Sequence, residues 1–251
     1  MKSVLKEYTR LDGDQRTKLE EEVAKEVALA IFVNGRHFST AMMSPQMKKE
    51  FVLGHLLSEG VIEDIEDVES MKIREDMAKV ITKNPTKVFA AKKVIVSGCG
   101  GASGFLDESK LPKVGSQLKL DRKVLFECIK KILTSELHQR TGGTHTCAIL
   151  EVSKTELCFV SEDIGRHNAL DKIIGYALLK KYHFPDTFVV CTGRISSEMV
   201  LKCSVAKIPI IASRGAVTSL AVEIANKTGL TVIGFVRGKR MNIYSNEQRI
   251  L

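Results

Sequence analysis

The chain has 251 residues, of which 44% are hydrophobic, and it carries a formal net charge of +8. This composition is sufficient for a globular core, and no run of 18 or more apolar residues predicts a membrane helix. The first eleven residues include the charged side chains Lys2, Lys6, Glu7 and Arg10, where a secretory signal would need an apolar centre. We therefore expect a cytoplasmic protein that does not bind membranes.

The excess of positive charge suits an anionic partner but does not identify one. The sequence has no tryptophan, four tyrosines and no long basic run, which argues against nucleic-acid binding by base stacking. Its six cysteines have no paired spacing, so they do not form a disulfide framework. In a reducing compartment we expect them to be thiols.

The first 25 residues are charged and show no clean hydrophobic period, which indicates a surface segment or a frayed helix. The first strong structural signal is a hairpin. Residues 27–33 are typical of a strand, and Asn34-Gly35 favours a tight turn because both residues tolerate positive φ. Residues 36–42 are predicted to return antiparallel to the first strand.

A helix is predicted after this hairpin, because Ser44-Pro45 supplies an N-cap with a first-turn proline and Gly60 supplies a stop. Residues 71–73 and 88–96 have the composition of β-strands. The first part of the chain is therefore predicted to be a small subdomain of a β-hairpin, a helix and further strands.

The strand-like run at the end of this subdomain leads into V-I-V-S-G-C-G-G-A-S-G, residues 94–104, which places Cys99 among three glycines. Glycine removes side-chain bulk and permits unusual backbone angles, so this sulfur is expected to be mobile and open to approach. The thiolate is the reactive form, and two nearby lysines favour it. Cys99 is therefore the candidate nucleophile.

The other five cysteines lie in helical or strand patterns, where a small buried residue is the commoner role. They are Cys128, Cys147, Cys158, Cys191 and Cys203. Cys147 is the least clear, because His145 lies two positions away on the same strand face. The segments that hold zinc in deaminases are absent, as is a P-loop, so neither a zinc site nor an ordinary nucleotide hydrolase is expected.

The second part of the chain has a different pattern. Asp121 caps an amphipathic helix, residues 147–152 and 156–160 are predicted to pair, and residues 162–168 lead into another helix. From residue 188 onward strands and helices alternate, which implies right-handed crossovers and a partly parallel sheet.

These patterns predict an α/β (α+β) fold, in which a mixed, partly parallel sheet has helices on both faces. We place the domain boundary between residues 1–118, an N-terminal subdomain that ends in the Cys99 loop, and residues 119–251, a ligand-binding core.

Ligand sites in such sheets lie beyond the carboxyl ends of the strands. Glycine and arginine coincide at three predicted strand ends, which are Gly193-Arg194, Ser213-Arg214-Gly215 and Arg237-Gly238-Lys239-Arg240. Free N–H groups at glycine turns and helix N-termini bind anions, and the planar guanidinium group forms paired hydrogen bonds to phosphate. A single arginine is more often a solvated loop residue, but the coincidence of three strand ends favours a phosphate site.

Arg166 and His167 stand at the start of a predicted helix and are further candidates for ligand contact. His167 could donate to a phosphate or carry a proton, and a structural hydrogen bond explains it equally well. The same alternatives apply to His145, which lies between two threonines after two glycines.

Six segments, taken together, indicate a known family. They are G-H-L-L-S-E-G at residues 54–60, the Cys99 loop, T-G-G-T-H at 141–145, E-D-I-G-R-H-N-A-L-D-K at 162–172, G-R-I-S-S-E at 193–198 and G-F-V-R-G at 234–238. With these segments the chain resembles the formate dehydrogenase accessory sulfurtransferase family, FdhD, over most of its length. The E-D-I-G-R-H-N run is the most specific of them.

The resemblance implies a cytoplasmic sulfurtransferase that accepts persulfide sulfur from a cysteine desulfurase on Cys99. The sulfur would pass to the molybdenum bis-guanine-dinucleotide cofactor of formate dehydrogenase. The resemblance also implies a homodimer and a C-terminal core similar to the cytidine deaminase fold without its zinc. A guanine nucleotide could mimic the cofactor. The implied cofactor contacts are Phe235, Val236, Arg237, Gly238, Lys239 and Arg240, which the strand-end pattern extends to Arg194, Arg166 and His167.

The chain departs from the family at one important position. Many members have a second cysteine three residues after the first, and here that residue is Ala102. Cys99 alone can still carry a persulfide, because the attack needs one thiolate, but it cannot close a local disulfide after transfer. The alternative function is therefore a delivery chaperone that binds the cofactor without moving sulfur.

Overall fold

The computed structural model describes residues 2–85, 111–153 and 158–251. Cys99, Ala102 and the strand predicted at residues 88–96 lie outside the described residues. Within them the fold belongs to the mixed α/β class that the sequence pattern predicts, and it has a two-stranded, a four-stranded and a six-stranded sheet. No helix in this part of the chain is long and apolar enough to span a membrane.

The N-terminal segment is an antiparallel ribbon of two strands, β1 (Ser3–Asp12) and β2 (Gln15–Ala24). The predicted surface segment is therefore confirmed, but it is a β-ribbon and the alternative of a frayed helix is wrong. Most side chains of the ribbon are exposed, so its residues lack the alternation that a half-buried strand shows. Cross-strand pairs such as Tyr8 with Leu19 stabilise it instead.

The four-stranded sheet has the strand order β4-β3-β6-β5. Its strands are β3 (Val27–Val33), β4 (Arg36–Met43), β5 (Val68–Ile73) and β6 (Met77–Thr82). The predicted hairpin is confirmed, since β3 and β4 pair antiparallel through a turn in which Asn34 and Gly35 have φ angles of 51° and 79°. β3 also pairs in parallel with β6, a strand that the sequence pattern did not reveal.

Helix α1 (Lys48–Ser58) begins three residues later than predicted, with Met47 instead of Ser44 as its N-cap. Ser44 makes contacts elsewhere. Its main-chain N–H donates to the Asp163 carboxylate at 3.0 Å, and its hydroxyl accepts the N–H of Ile164 at 3.2 Å. A long-range contact therefore overrides the local capping signal.

The remaining strands form a six-stranded sheet in the order β12-β11-β10-β9-β7-β8. They are β7 (His145–Glu151), β8 (Phe159–Asp163), β9 (Thr187–Cys191), β10 (Ile210–Ser213), β11 (Thr231–Arg237) and β12 (Arg240–Ser245). β9, β10 and β11 are parallel, and the other pairs are antiparallel. β9 and β10 are buried along their whole length, as expected for parallel strands covered on both faces.

Helices cover both faces of this sheet, as predicted. They are α2 (Arg122–Leu133), α3 (Glu136–Thr141), α4 (Arg166–Leu179), α5 (Ser197–Val205) and α6 (Ser219–Thr228). On one face Leu125 and Ile129 of α2 join a cluster with Phe188 of β9, and α4, α5 and α6 pack on the other. Asp121 caps α2 as predicted, accepting the N–H of Lys123 at 2.8 Å.

Helices α1 and α4 cross at two glycines. A Cβ atom on Gly54 would lie 1.8 Å from the carbonyl oxygen of Asp171, and one on Gly175 would lie 1.8 Å from that of Glu50. One hydrophobic cluster continues through this crossing from the four-stranded sheet to the six-stranded sheet. The proposed boundary at residue 118 stays a prediction.

Candidate functional site

The carboxyl ends of the parallel strands meet at one edge of the six-stranded sheet. Cys191 at the end of β9 pairs with Ser213 at the end of β10, and β10 runs parallel to β11. β7 runs in the opposite direction and brings its first residue, His145, to the same edge, where it pairs with Asp163 at the end of β8. We call this edge, formed by residues 163–167, 193–198, 213–218 and 235–240, the strand-end edge.

Two glycines let the segments of this edge pack directly against one another. A Cβ atom on Gly193 would lie 3.0 Å from the Cβ of Arg166 and 3.2 Å from Nδ1 of His145. A Cβ atom on Gly215 would lie 3.2 Å from the main-chain nitrogen of Arg194. The absence of a side chain at each glycine therefore allows the segments that carry Arg166, Arg194 and His145 to pack close together.

Three helices begin at the strand-end edge. The N-cap residues of α4, α5 and α6 are Gly165, Ser196 and Thr218, and none of the three caps its helix through a side-chain hydrogen bond. The first N–H groups of a helix carry partial positive charge and bind anions. Arg194 and Arg214 are exposed in the segments that lead into α5 and α6, so cationic and N–H donors share this edge.

The turn between β11 and β12 contributes further positive charge. Its exposed residues are Arg237, Gly238, Lys239 and Arg240. Phe235 precedes them at a register shift, with a φ angle of 52°, and its N–H donates to the carbonyl of Gly215 at 2.9 Å. Val236, by contrast, is buried in the core.

Arg166 shows that the edge fits an anionic ligand. Its Nε is buried and has no hydrogen-bond partner among the described residues. A buried donor without a partner is costly, and a phosphate oxygen would satisfy it. The donor set of this edge therefore fits a phosphate-bearing molecule.

His167 lies beside Arg166 in a polar cluster. Its Nε2 is 3.2 Å from Oγ of Ser196 and 3.1 Å from Oε2 of Glu198. Burial and then the charge of Arg166 lower the pKa of His167, whereas Glu198 opposes this change. Burial and Arg166 also lower the pKa of His145. Both imidazoles are therefore favoured in the neutral form near pH 7.

The structure brings most of the predicted site residues to one edge. Arg166, His167 and Arg194 lie there with residues 235–240, and His145 joins them. The sequence analysis did not identify Ser196 and Glu198 as partners of His167, although the G-R-I-S-S-E segment at a helix start contains both. It also did not identify the ion pair that supports this region.

That ion pair joins Lys172 and Asp163, both with fully buried side chains, at 2.6 Å. Asp163 also accepts hydrogen bonds from the main chain of Gly165 and the side chain of Asn168, each at 2.9 Å. Buried charges are stable only when they are paired and hydrogen-bonded. The E-D-I-G-R-H-N-A-L-D-K segment therefore contains both members of the ion pair that supports the turn before Arg166.

The five cysteines within the described residues are all buried thiols, as predicted. A hydrogen bond with Cys191 and burial raise the pKa of Cys147, and burial raises that of Cys203. Cys147 and Cys203 are therefore poor nucleophiles, whereas a hydrogen bond with Cys128 lowers the pKa of Cys158 to about 7. Within residues 2–85, 111–153 and 158–251, no group of three or more His, Cys, Asp or Glu side chains could hold a metal ion.

The fold and this edge define an α/β protein with a cationic site at the carboxyl ends of its parallel strands. More particularly, the chain belongs to the FdhD/NarQ family, whose model matches residues 24–251.

Individual relatives agree with this membership. The chain is 35% identical to a sulfur carrier protein FdhD from Wolinella succinogenes, an alignment that covers 95% of this chain and 86% of the relative. It is 36% identical to a sulfur carrier protein FdhD from Geobacillus kaustophilus, covering 92% and 91%. A crystal structure of a formate dehydrogenase accessory protein from Desulfotalea psychrophila superposes with a TM-score of 0.82 at 27% identity, covering 99% of both chains.

Proposed function

We propose that this protein is a sulfurtransferase that carries sulfur as a persulfide on Cys99, from a cysteine desulfurase to the molybdenum bis-guanine-dinucleotide cofactor of formate dehydrogenase. Relatives named sulfur carrier protein support the carrier role, and the accessory protein from Desulfotalea psychrophila supports formate dehydrogenase as the recipient. The cofactor part of the proposal is supported by the strand-end edge, where Nε of Arg166 is buried without a hydrogen-bond partner among the described residues.

The first step needs one thiolate. The Cys99 thiolate attacks the terminal sulfur of the desulfurase persulfide, so that a new S–S bond forms as the original one breaks. The desulfurase cysteine leaves as a thiolate with the electron pair of the broken bond. No oxidant is required, and Ala102 in place of a second cysteine does not prevent this step.

The cofactor is the substrate of the second step and would bind through its phosphates. Arg194, Arg237, Lys239 and Arg240 would hold the phosphates, and Arg166 would donate its buried N–H to one of them. The bound cofactor would supply an electron pair to the outer sulfur of the persulfide, and Cys99 would leave as a thiolate with the electron pair of the broken S–S bond. Positioning a bound acceptor next to the carrier sulfur supplies most of the rate effect in such a transfer.

Isotope labelling tests the carrier assignment. The protein is incubated with a cysteine desulfurase and sulfur-34 cysteine, and we expect one labelled sulfur at Cys99 by mass spectrometry. Cys128→Ala, which removes a buried thiol, is the matched control and should label normally. Labelling of Cys99→Ala as strong as that of the parent would show that Cys99 is not the carrier.

A delivery chaperone is the second candidate, and Ala102 is the observation that favours it. The chaperone predicts that Cys99→Ala still binds a guanine nucleotide and still restores formate dehydrogenase activity in cells. Sulfur transfer predicts that the same variant binds the nucleotide but loses the activity. Arg237→Gln should weaken nucleotide binding under either function.

The proposal includes a cytoplasmic location, because a reducing compartment keeps Cys99 as a free thiol that can accept sulfur. It also includes a homodimer, which the family resemblance implies. Sedimentation of the purified protein at several concentrations measures the oligomeric state.

A further inference from the structure

A second polar cluster lies outside the strand-end edge and joins β4, α1 and α4. Nε2 of His55 is 3.2 Å from Oγ of Ser39, and Nδ1 of the same ring is 3.1 Å from Oδ2 of Asp171. His55 is 16 positions from Ser39 and 116 positions from Asp171 in the chain, so only the fold brings the three together. A hydroxyl, an imidazole and a carboxylate joined in this order form the arrangement that activates a serine as a nucleophile.

The carboxylate of Asp171 determines which nitrogen of His55 carries the proton. Burial opposes ionisation of Asp171, but the charge of Lys202 and the contact with His55 lower its pKa to about 2. An ionised carboxylate only accepts hydrogen bonds, so Nδ1 of the neutral ring carries the proton. Nε2 then has the free lone pair and accepts the hydroxyl hydrogen of Ser39.

Packing holds the ring of His55 in this orientation. The ring stacks on Phe51 with the two centroids 5.6 Å apart, and it makes an edge contact with Phe38 at a centroid distance of 5.7 Å. The side chain of Asp171 is 2% exposed, whereas that of His55 is 18% exposed and Ser39 is only partly buried. The carboxylate is therefore shielded from water, while Ser39 and His55 remain partly open to a small molecule.

Ser39 lies beside a β-bulge in an edge strand. β4 is the outer strand of the four-stranded sheet among the described residues. Its register with β3 shifts directly after the Ile31–Ser39 pair, so Phe38 is the extra residue of the bulge. Bulges change the direction of side chains and are frequent next to active sites. Every second main-chain N–H group of an edge strand points away from the neighbouring strand, and such donors can stabilise negative charge on a bound oxygen.

We propose that Ser39 is the nucleophile of a second site, which acts on small carboxylic esters, with His55 as its general base and Asp171 as a positioning residue. Oγ of Ser39 attacks the carbonyl carbon, and its proton passes to Nε2 of His55. The bond to the alcohol breaks, the alcohol leaves with that proton, and the acyl group stays on Oγ. Water then releases the acyl group as a carboxylic acid by the same proton path. This activity goes beyond the proposed sulfur transfer and uses none of its residues.

A fluorophosphonate probe tests the nucleophile. Oγ forms a bond to the phosphorus of the probe as fluoride leaves, and peptide mass spectrometry locates the label, which we expect at Ser39. His55→Phe keeps the aromatic packing against Phe51 but removes the base, so labelling should slow about 100-fold. Thr40→Val is the matched control, because it removes a neighbouring hydroxyl that lies 2.9 Å from Nε2 of His37, and it should label at the rate of the parent. Hydrolysis of p-nitrophenyl acetate should follow the same order.

Nitrogen-15 NMR of labelled histidines tests the role of Asp171 without any assay of activity. We expect the neutral ring of His55 to be protonated at Nδ1 in the parent. Asp171→Asn removes the negative charge, so it should increase the population protonated at Nε2 and slow the labelling of Ser39. A purely structural role of Asp171 would leave the tautomer unchanged. Thermal unfolding checks that each variant is folded at the temperature of the measurements.

The outcomes either support this site or overturn it. Labelling at Ser39 that His55→Phe slows and Thr40→Val leaves unchanged supports the proposal. A folded parent protein that takes no label at Ser39 would show that the hydroxyl is not activated. Equal labelling rates in the parent and His55→Phe would overturn the role of His55, as would a parent ring protonated at Nε2. None of these results depends on sulfur uptake by Cys99, so they are independent of the proposed function.

Discussion

Arg249 is a buried cation whose hydrogen-bond partners are neutral oxygens. Its side chain is 7% exposed, and its Nη1 donates to the carbonyl of Gly229 at 2.7 Å and to Oγ1 of Thr231 at 3.0 Å. Its Nη2 donates to the carbonyl of Ser116 at 3.1 Å, and burial lowers its pKa. The residue therefore ties the segment before α2 to the start of β11.

Removing this guanidinium should destabilise the protein without changing its fold. Arg249→Met leaves several buried acceptors without donors, which costs about 2–4 kcal/mol of unfolding free energy. Urea unfolding followed by circular dichroism measures the change. Arg122→Met, at an exposed arginine, should shift the unfolding free energy by less than about 0.5 kcal/mol. Equal losses in the two variants would contradict the structural role of Arg249.

At the scale of elements, the crossing of α1 and α4 depends on glycine. Gly54→Ala would place a methyl group 1.8 Å from the carbonyl oxygen of Asp171, so the helices must move apart. Overpacking of this kind lowers the free energy of unfolding by about 3 kcal/mol. Gly115→Ala is the control, because a Cβ atom there meets nothing within 4 Å. Thermal unfolding should show a large decrease in Tm for Gly54→Ala and almost none for Gly115→Ala.

Short sequence patterns correctly predicted the elements whose structure depends mainly on residues close together in the sequence. The hairpin at Asn34-Gly35 and the cap at Asp121 are confirmed, as is the alternation of strands and helices from residue 188. The start of α1 was wrong because Ser44 bonds to Asp163, a residue 119 positions away. No short sequence pattern indicates a contact between residues so far apart in the chain.

The same distinction applies to the candidate site. Because parallel strands end together, the sequence predicted which arginines share an edge. It did not predict that Nε2 of His167 faces Glu198, since this depends on how α4 and α5 are rotated against each other. The buried pair of Lys172 and Asp163 was missed for a similar reason, because only tertiary packing brings these two side chains together.

At the scale of the whole molecule, a polar network joins α1 to the core. Asp171 accepts hydrogen bonds from Lys202 at 3.0 Å, from Ser58 at 2.9 Å and from His55 at 3.1 Å. Lys202 also pairs with Glu59 at 3.1 Å. Burial opposes ionisation of Asp171, but the charge of Lys202 and the contact with His55 outweigh it and lower its pKa to about 2.

This network makes stability depend on pH in the acidic range. The folded pKa of Asp171 lies below its ordinary value of 3.8, so its contribution is complete above that value and is lost as the pH falls toward 2. The loss of unfolding free energy amounts to about 2 kcal/mol. Urea unfolding at pH 5, 4, 3 and 2.5 measures it, and Asp171→Asn should flatten this part of the curve. Asp186→Asn, at an exposed carboxylate, should not.

The glycine crossing of α1 and α4 also has a consequence for local unfolding. Because the two backbones touch with no side chain between them, neither helix can open by rotating a side chain out of the way. Their amide hydrogens should therefore exchange with deuterium through one shared opening, at similar rates under native conditions. The exposed ribbon of β1 and β2 should exchange independently and much faster.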